Sequence, residues 1–139
     1  MTSSHPKERA SVHIVGICGS RREGSHTRSA LQEALASVES VGGTSELIDL
    51  ADLQLPPLDP DKQHAADADL LRSRIRAADG VILATPMYHG SYSGVLKNAL
   101  DYCGFDEFEG ITVGLLAVSG GPFPSTALNH LRCVCRSLG

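Results

Sequence analysis

Side chains suited to binding an anion are concentrated in residues 19–27 of the 139-residue chain. This segment contains the hydroxyl groups of Ser20, Ser25 and Thr27 and the guanidinium group of Arg22. An amphipathic stretch follows it, so the segment ends at the amino end of a predicted helix, where unpaired N–H groups and the helix dipole attract negative charge. An arginine can add a bidentate contact to a phosphate. We therefore predict a site for a terminal phosphate, with ordinary helix capping by the hydroxyl groups as the alternative.

The segment does not match the motifs of two common nucleotide-binding loops. Residues 19–27 read GSRREGSHT, which contains neither G-x-G-x-x-G nor G-K followed by serine or threonine. The first motif is typical of dinucleotide-binding Rossmann folds, and the second is typical of P-loop nucleotide sites. Both kinds of site are therefore disfavoured.

Two further segments have compositions that suit contact with a planar ring. Residues 85–94 combine rigid proline, permissive glycine and the flat apolar face of Tyr88. Residues 119–122 read SGGP, and adjacent glycines let the main chain approach a ring closely and present N–H donors to it. Taken singly, each segment could equally be a plain turn.

The elements between these segments alternate between strands and helices. Short apolar runs predict strands at residues 12–18, 45–50, 80–85 and 111–119. Helical spacing of apolar residues predicts helices at residues 28–41, 67–78, 95–103 and 127–138. In the second helix, Leu70, Leu71, Ile75 and Ala78 are expected to face inward. This alternation predicts right-handed βαβ crossovers and a parallel sheet covered by helices on both faces.

Such a sheet fits two architectures. A dinucleotide-type Rossmann half and a flavodoxin-like three-layer sandwich both bind ligands beyond the carboxyl ends of their strands. In the flavodoxin-like strand order 2-1-3-4, the three segments emerge at one edge of the sheet, because each directly follows a strand. A phosphate loop beside two ring-binding loops matches the shape of FMN. We therefore predict an α/β, flavodoxin-like fold that binds this cofactor.

Composition limits the other classes of function. The length suits one domain, the net charge is −4 and tryptophan is absent, which argues against a polyanionic partner and against a stacking platform for nucleic acid. The four cysteines lack C-x-x-C and zinc-knuckle spacing, so no metal site is expected. Residues 1–10 are expected to form a flexible tail without a secretory signal, and the apolar stretches are too short to cross a bilayer. We expect a cytoplasmic protein whose domain comprises residues 11–139.

The three segments together resemble a known family. Residues 19–25 match the pattern G-S-x-R-x-G-S, and residues 86–101 match P-x-Y-x-G-S followed by G-x-L-K-N-x-x-D. Residues 119–121 match the family's S-x-G-G-type loop only loosely. From about residue 12 onward the chain resembles the NAD(P)H-dependent FMN reductases of the flavodoxin-like superfamily, which include azo-dye, quinone and chromate reductases. The second pattern is the most specific part of the resemblance.

The resemblance assigns site residues to each segment. It implies that FMN is held at its phosphate by Ser20, Arg22, Ser25, His26 and Thr27, along its ring and ribityl chain by Pro86, Met87, Tyr88, His89 and Gly90, and at the other ring edge by Ser119, Gly120 and Gly121. Met87 stands where glutamate is frequent, and both His89 and Thr27 stand where asparagine is frequent. These differences would alter the hydrogen bonds that tune a flavin. Lys97, Asn98 and Asp101 are expected to be structural or interfacial.

The resemblance also implies an activity. We expect transfer of electrons from NADPH or NADH through FMN to a small acceptor, such as free flavin, a quinone, an azo compound or a metal oxyanion. No side chain is expected to act as a nucleophile or general acid, because the flavin supplies the chemistry. A flavodoxin-type electron carrier is the main alternative, although such carriers are more acidic around the flavin. An incomplete domain that binds flavin weakly is a third possibility.

Assembly and chain length are further expectations from the resemblance. Members of the family form dimers or tetramers, so a homodimer or homotetramer is expected. Members usually continue past the last predicted helix into a fifth strand and a final helix. We therefore expect this chain to be shortened at its carboxyl end and to lack the fifth strand, which would leave the fourth strand as an open edge unless a partner chain covers it.

Overall fold

Four parallel strands form the central layer of the structure. In the computed structural model, which describes residues 11–139, they are β1 (His13–Cys18), β2 (Thr44–Asp49), β3 (Gly80–Pro86) and β4 (Thr112–Val118). They lie in the order β2-β1-β3-β4, and each is parallel to its neighbours. This order confirms the predicted flavodoxin-like α/β fold. The predicted tail, residues 1–10, lies outside the described residues.

Helices fill the connections between the strands and follow the last one. They are α1 (His26–Ser40), a 3-10 turn (Leu50–Asp52), α2 (Ala66–Arg76), α3 (Gly94–Asp101), α4 (Phe105–Phe108) and α5 (Ser125–Leu138). The sequence did not predict α4, because a single turn is too short to show helical periodicity. Within residues 11–139, no helix combines the length and the apolar character that a membrane span requires.

Apolar side chains cover both faces of the sheet. On one face, Val15 and Ile17 of β1 belong to a large core that includes residues of α2, α3 and α5. On the other face, Cys18 packs in a smaller core with Leu31 and Leu35 of α1. Because successive strand residues point to opposite faces, one strand supplies both cores. The result is a sheet between two helical layers.

One predicted core position is wrong. Leu70 is 39% exposed, whereas Leu71, Ile75 and Ala78 are buried as expected. Ala68, Leu71 and Ile75 form the buried face of α2. Leu70 lies about 100° around the helix from Leu71 and therefore outside that face.

The register of the strands places their carboxyl ends at the same edge. Cys18 at the end of β1 lies opposite both Asp49 of β2 and Ala84 of β3. Pro86 at the end of β3 lies opposite Val118 of β4. The segments that follow β1, β3 and β4 therefore all emerge at this edge, where α/β sheets bind their ligands.

Candidate functional site

Three loops emerge at the carboxyl edge of the sheet. The first loop is residues 19–25, between β1 and α1; the second is residues 87–93, between β3 and α3; the third is residues 119–124, between β4 and α5. In the first loop, Ser20 and Ser25 are only 2% and 3% exposed. Ser25 is the N-cap of α1, and its Oγ accepts a hydrogen bond from the N–H of Arg28 at 3.2 Å. Ordinary helix capping, the alternative to a phosphate site, therefore does occur at Ser25. It satisfies only one N–H group of the helix end.

Apart from the N–H of Arg22, which donates to Oγ of Ser20 at 3.3 Å, the main-chain donors of residues 21–25 in the first loop have no acceptor among the described residues. Within residues 11–139, the main-chain N–H groups of residues 23–27 donate to no protein acceptor. The guanidinium group of Arg22 is exposed and, in the same part of the chain, contacts no carboxylate. A row of free N–H groups at a helix amino end, beside an unpaired arginine, suits a phosphate.

Arg28 lies behind the first loop and holds it in place. Its Nε donates to Oδ2 of Asp49 at 2.5 Å, its Nη1 to the carbonyl of Arg22 at 3.3 Å and its Nη2 to the carbonyl of Ser20 at 3.4 Å. The hydrogen bond to Asp49 raises the pKa of Arg28 above its usual value, so the guanidinium stays charged. Burial raises the pKa of the nearby Cys18 thiol, so no thiolate opposes an anion there.

The second loop turns back on itself as a short hairpin. Tyr88 and Ser91 exchange main-chain hydrogen bonds of 3.0 and 3.2 Å. The two residues between them, His89 and Gly90, have positive φ angles of 50° and 81°. Glycine adopts such angles without steric cost, which explains its place at the tip of the turn. The hairpin leaves Tyr88 52% exposed, so its side chain is available for contact with a ligand.

Buried hydrogen bonds tie the second loop to the first. The hydroxyl group of Ser93 donates to the carbonyl of Gly19 at 2.7 Å, and the N–H of Gly19 donates to the carbonyl of Ala84 at 2.8 Å. The N–H of Ser93 in turn donates to Oγ1 of Thr85 at 2.9 Å. A Cβ atom at position 19 would lie only 3.0 Å from Oγ of Ser93 and 2.9 Å from Cβ of Leu96 in α3, so the close approach of the first loop to these residues requires glycine.

The second loop also contacts β4 and α5, which flank the third loop. The N–H of Met87 donates to the carbonyl of Val118 at 2.9 Å, directly before the third loop begins. Ser91 Oγ and His130 Nδ1 of α5 share a hydrogen bond of 2.8 Å. Within the third loop, the N–H of Gly121 donates to Oγ of Ser119 at 3.0 Å. The three loops are therefore connected neighbours and not separate features.

The structure places each predicted site residue on these loops or beside them. Thr27 is only 2% exposed, on the face of α1 that carries Leu31 and Leu35, whereas His26 is exposed at the first position of that helix. Pro86 ends β3. The others lie in the first loop (Ser20, Arg22, Ser25), the second loop (Met87, Tyr88, His89, Gly90) and the third loop (Ser119, Gly120, Gly121).

Sequence reasoning missed three residues that organise the site. Arg28 and Asp49 brace the first loop from behind, and Ser93 joins it to the second loop. Ser93 did carry a local signal, because a serine directly before a run of helical apolar residues is a common N-cap. Arg28 and Asp49 carried none, because their contact forms only when β2 pairs beside β1.

The residues present fit a ligand that has a phosphate at one end and a flat ring at the other. The free N–H groups and Arg22 provide anion donors at the first loop. The exposed ring of Tyr88 and the glycine-rich third loop provide an apolar face and an approachable main chain next to it. The arrangement offers binding and orientation.

Comparison with known proteins gives consistent matches. The sequence model of the family described as NADPH-dependent FMN reductase matches residues 12–139. An FMN-dependent NADPH-azoreductase of Staphylococcus saprophyticus is 39% identical over 128 residues, which cover 88% of this chain and 68% of the relative. The protein of the same name from Staphylococcus aureus strain USA300 is 40% identical over 131 residues, with the same coverage.

Solved structures share the fold. The apo form of NADH:FMN oxidoreductase (EMOB) superposes with a TM-score of 0.80 and 31% identity, over 92% of this chain and 70% of that chain. The NAD(P)H:(acceptor) oxidoreductase FerB from Paracoccus denitrificans superposes with a TM-score of 0.77 and 25% identity, over 92% of this chain and 72% of that chain.

Proposed function

The chain belongs to the NADPH-dependent FMN reductase family and is an FMN-dependent NAD(P)H oxidoreductase, and we propose that it holds FMN in the crevice formed by its three loops. The free N–H groups at the amino end of α1 carry this proposal. They are the donors that a phosphate bound at a helix amino end requires, and the cap at Ser25 leaves them available. The proposed contacts are the predicted ones at Ser20, Arg22, Ser25, His26, Thr27, Pro86, Met87, Tyr88, His89, Gly90, Ser119, Gly120 and Gly121.

At the phosphate end, the main chain of the first loop does most of the binding. The N–H groups of residues 23–27 provide the donors, and Arg22 adds a mobile positive charge from solvent. Thr27 contributes through its N–H, because its side chain faces the core. The phosphate therefore fixes the position of the cofactor without any reacting side chain.

At the ring end, the second and third loops orient the cofactor. Tyr88 offers its exposed face, and the N–H group of Gly120 can reach a ring carbonyl group, whereas the N–H of Gly121 donates to Oγ of Ser119. His89 sits at the exposed tip of the hairpin, where it can donate a hydrogen bond. FMN held there would supply the redox chemistry between NAD(P)H and an acceptor. The residues of the chain bind it, orient it and leave one side open to both substrates.

The acceptor in this proposal is a small molecule. Two relatives are named azoreductases, which supports an azo compound as the electron acceptor. The proposal keeps free flavin, quinones and metal oxyanions as the other candidate acceptors. The open crevice supports acceptors of differing shape, because Tyr88, His89 and Gly120 are all exposed around it. Comparison of NADPH oxidation rates across these four acceptor classes assigns the acceptor.

Anaerobic spectroscopy tests the function. Protein freed of flavin is titrated with FMN until the flavin spectrum changes no further, and NADPH or NADH is then added without oxygen. We expect the visible flavin band to be lost in the presence of protein and to persist in a control that contains FMN and nucleotide alone. Tight FMN binding with no loss of the band would identify an electron carrier, which the family match does not favour.

The proposal extends to a homodimer or homotetramer. Two large aromatic side chains flank the crevice in exposed positions: Tyr88 in the second loop at 52% and Phe123 in the third loop at 70%. Exposed aromatic residues are typical of protein interfaces. Light scattering on the eluting protein should give two or four times the monomer mass, and Phe123→Ser should lower it. A wild-type monomer at high concentration would contradict this part of the proposal.

The proposal also places the protein in the cytoplasm. All four cysteines lie in the described residues, and all four are free thiols. Free thiols persist in reducing compartments. Fractionation of cells that express the tagged protein should recover it with cytoplasmic markers, and recovery with secreted proteins would contradict the assignment.

A further inference from the structure

Arg28 contacts the main chain of the first loop, and direct contact with a ligand does not account for this arrangement. Its three side-chain nitrogen atoms donate to Asp49, to the carbonyl of Arg22 and to the carbonyl of Ser20. The side chains of Arg28 and Asp49 are only 22% and 12% exposed. With its charge paired and its nitrogen atoms engaged, Arg28 is not available to a phosphate.

The contacts of Arg28 fix the direction of two peptide groups. A trans peptide group is planar, so its C=O and the N–H that follows point in opposite directions. There is no cis peptide bond in residues 11–139. Because the carbonyl groups of Ser20 and Arg22 point toward Arg28, the N–H groups of Arg21 and Glu23 point away from it. Neither N–H donates to an acceptor within the described chain.

Asp49 in turn holds Arg28 from β2. It is the last residue of that strand, and its Oδ1 accepts a hydrogen bond from the N–H of Ala51 at 3.0 Å. Its Oδ2 is therefore fixed in the position that receives Nε of Arg28. The first loop is connected in this way to the sheet on the side of β2, as Ser93 connects it on the side of β3.

We propose that Arg28, anchored by Asp49, is a positioning residue for the phosphate end of the FMN site: it draws the carbonyl groups of Ser20 and Arg22 to one side and so turns the N–H groups of Arg21 and Glu23 toward the phosphate. This inference rests on the proposed FMN site. It gives different roles to two neighbouring arginines: Arg22 contacts the phosphate, and Arg28 orients main-chain N–H groups of the first loop.

Comparison of FMN with riboflavin isolates this role, because riboflavin has the same ring and ribityl chain without the phosphate. Apoprotein variants are titrated with each flavin, and quenching of flavin fluorescence gives the dissociation constants. For Arg28→Gln we expect FMN to bind at least tenfold more weakly, while riboflavin affinity changes less than twofold. Arg28→Lys should restore part of the FMN affinity, because it keeps the charge without the planar fork.

Arg74 offers a matched control. It also forms an ion pair from a helix to β2, through Glu46, but it lies on α2 and, among the described residues, hydrogen-bonds to no residue of the first loop. Arg74→Gln removes the same charge and an ion pair to the same strand, although that pair is more exposed than the one between Arg28 and Asp49. We expect it to leave the affinities for both flavins unchanged.

Two further measurements keep the inference testable. Should Arg28→Gln fail to fold, as judged by circular dichroism, Asp49→Asn carries the same comparison of flavins. Should riboflavin bind too weakly for titration, inorganic phosphate is added to the apoprotein and amide shifts of residues 21–27 are followed by NMR. The shifts should occur in the wild type and be lost in the variant.

The outcomes separate this inference from the proposed function. Equal FMN affinities of Arg28→Gln and Arg74→Gln would overturn the inference about Arg28. Equal losses of FMN and riboflavin affinity in Arg28→Gln would also overturn it, because they would show that the ion pair is merely structural. Failure of the wild-type protein to bind FMN at all would instead reject the proposed site.

Discussion

At the scale of single residues, the two arginines of the first loop differ in their surroundings from Arg28 and Arg74. Arg21 and Arg22 are exposed, whereas Arg28 and Arg74 are engaged by carboxylates. An exposed, unpaired guanidinium can move to an arriving anion at little cost. Because only Arg22 falls in the family's pattern, we assign the phosphate contact to it.

Substitution of Arg22 tests that assignment. Arg22→Ala should weaken FMN binding by about 1.5–3 kcal/mol, the contribution of a hydrogen bond to a charged group. Isothermal titration of the apoprotein with FMN measures the change. Arg21→Ala is the matched control, because it removes the same charge one residue away and should cost much less once salt screens the interaction. Equal affinities for wild type and Arg22→Ala would mean that Arg22 is merely solvated.

The four thiols should differ in reactivity. Burial raises the pKa of Cys103 to about 12, with a smaller contribution from nearby Glu107. A raised pKa lowers the fraction of the reactive thiolate near neutral pH, so Cys103 should react slowly with iodoacetamide. Cys133 is exposed on α5 and should react first. Peptide mass spectrometry after brief labelling gives the order, and faster labelling of Cys103 would contradict its burial.

At the scale of secondary-structure elements, Ser93 joins three of them. Its hydroxyl group donates to Gly19 after β1 and accepts from the N–H of Leu96 in the first turn of α3. Its own N–H donates to Thr85 of β3. One small side chain therefore caps a helix and holds the first and second loops together.

Loss of that hydroxyl group should lower both stability and cofactor affinity. Ser93→Ala removes an N-cap and leaves the buried carbonyl of Gly19 without its partner, which should lower the free energy of unfolding by about 1–3 kcal/mol. Urea denaturation monitored by circular dichroism measures it. Ser37→Ala serves as the control, because Ser37 is exposed on α1 and bonds only to its own helix. Similar stabilities for the two variants would argue against the role of Ser93.

The sequence predicted the elements better than their contacts. Buried parallel strands are continuous apolar runs, so all four were found, with ends that differ from the structure by at most one residue. Family patterns located the three loops. The contact of Arg28 with Asp49 could not be predicted, because it depends on how β2 and α1 meet and both residues are also common on surfaces.

At the scale of the whole molecule, exposed positive side chains lie at one edge of the sheet, although the protein as a whole is negatively charged. The net charge is −4, yet Arg21 and Arg22 are both exposed beside the amino end of α1. A local field of this kind can attract an anion even when the total charge opposes it. Parallel pairing of all four strands makes this possible, because it brings the three loops to the same end.

A crystal structure of the protein with FMN tests the central claim most directly. The account predicts the phosphate within hydrogen-bond distance of the N–H groups of residues 23–27, with the ring between the second and third loops. A phosphate bound elsewhere, or a ring lying away from Tyr88 and Gly120, would contradict it.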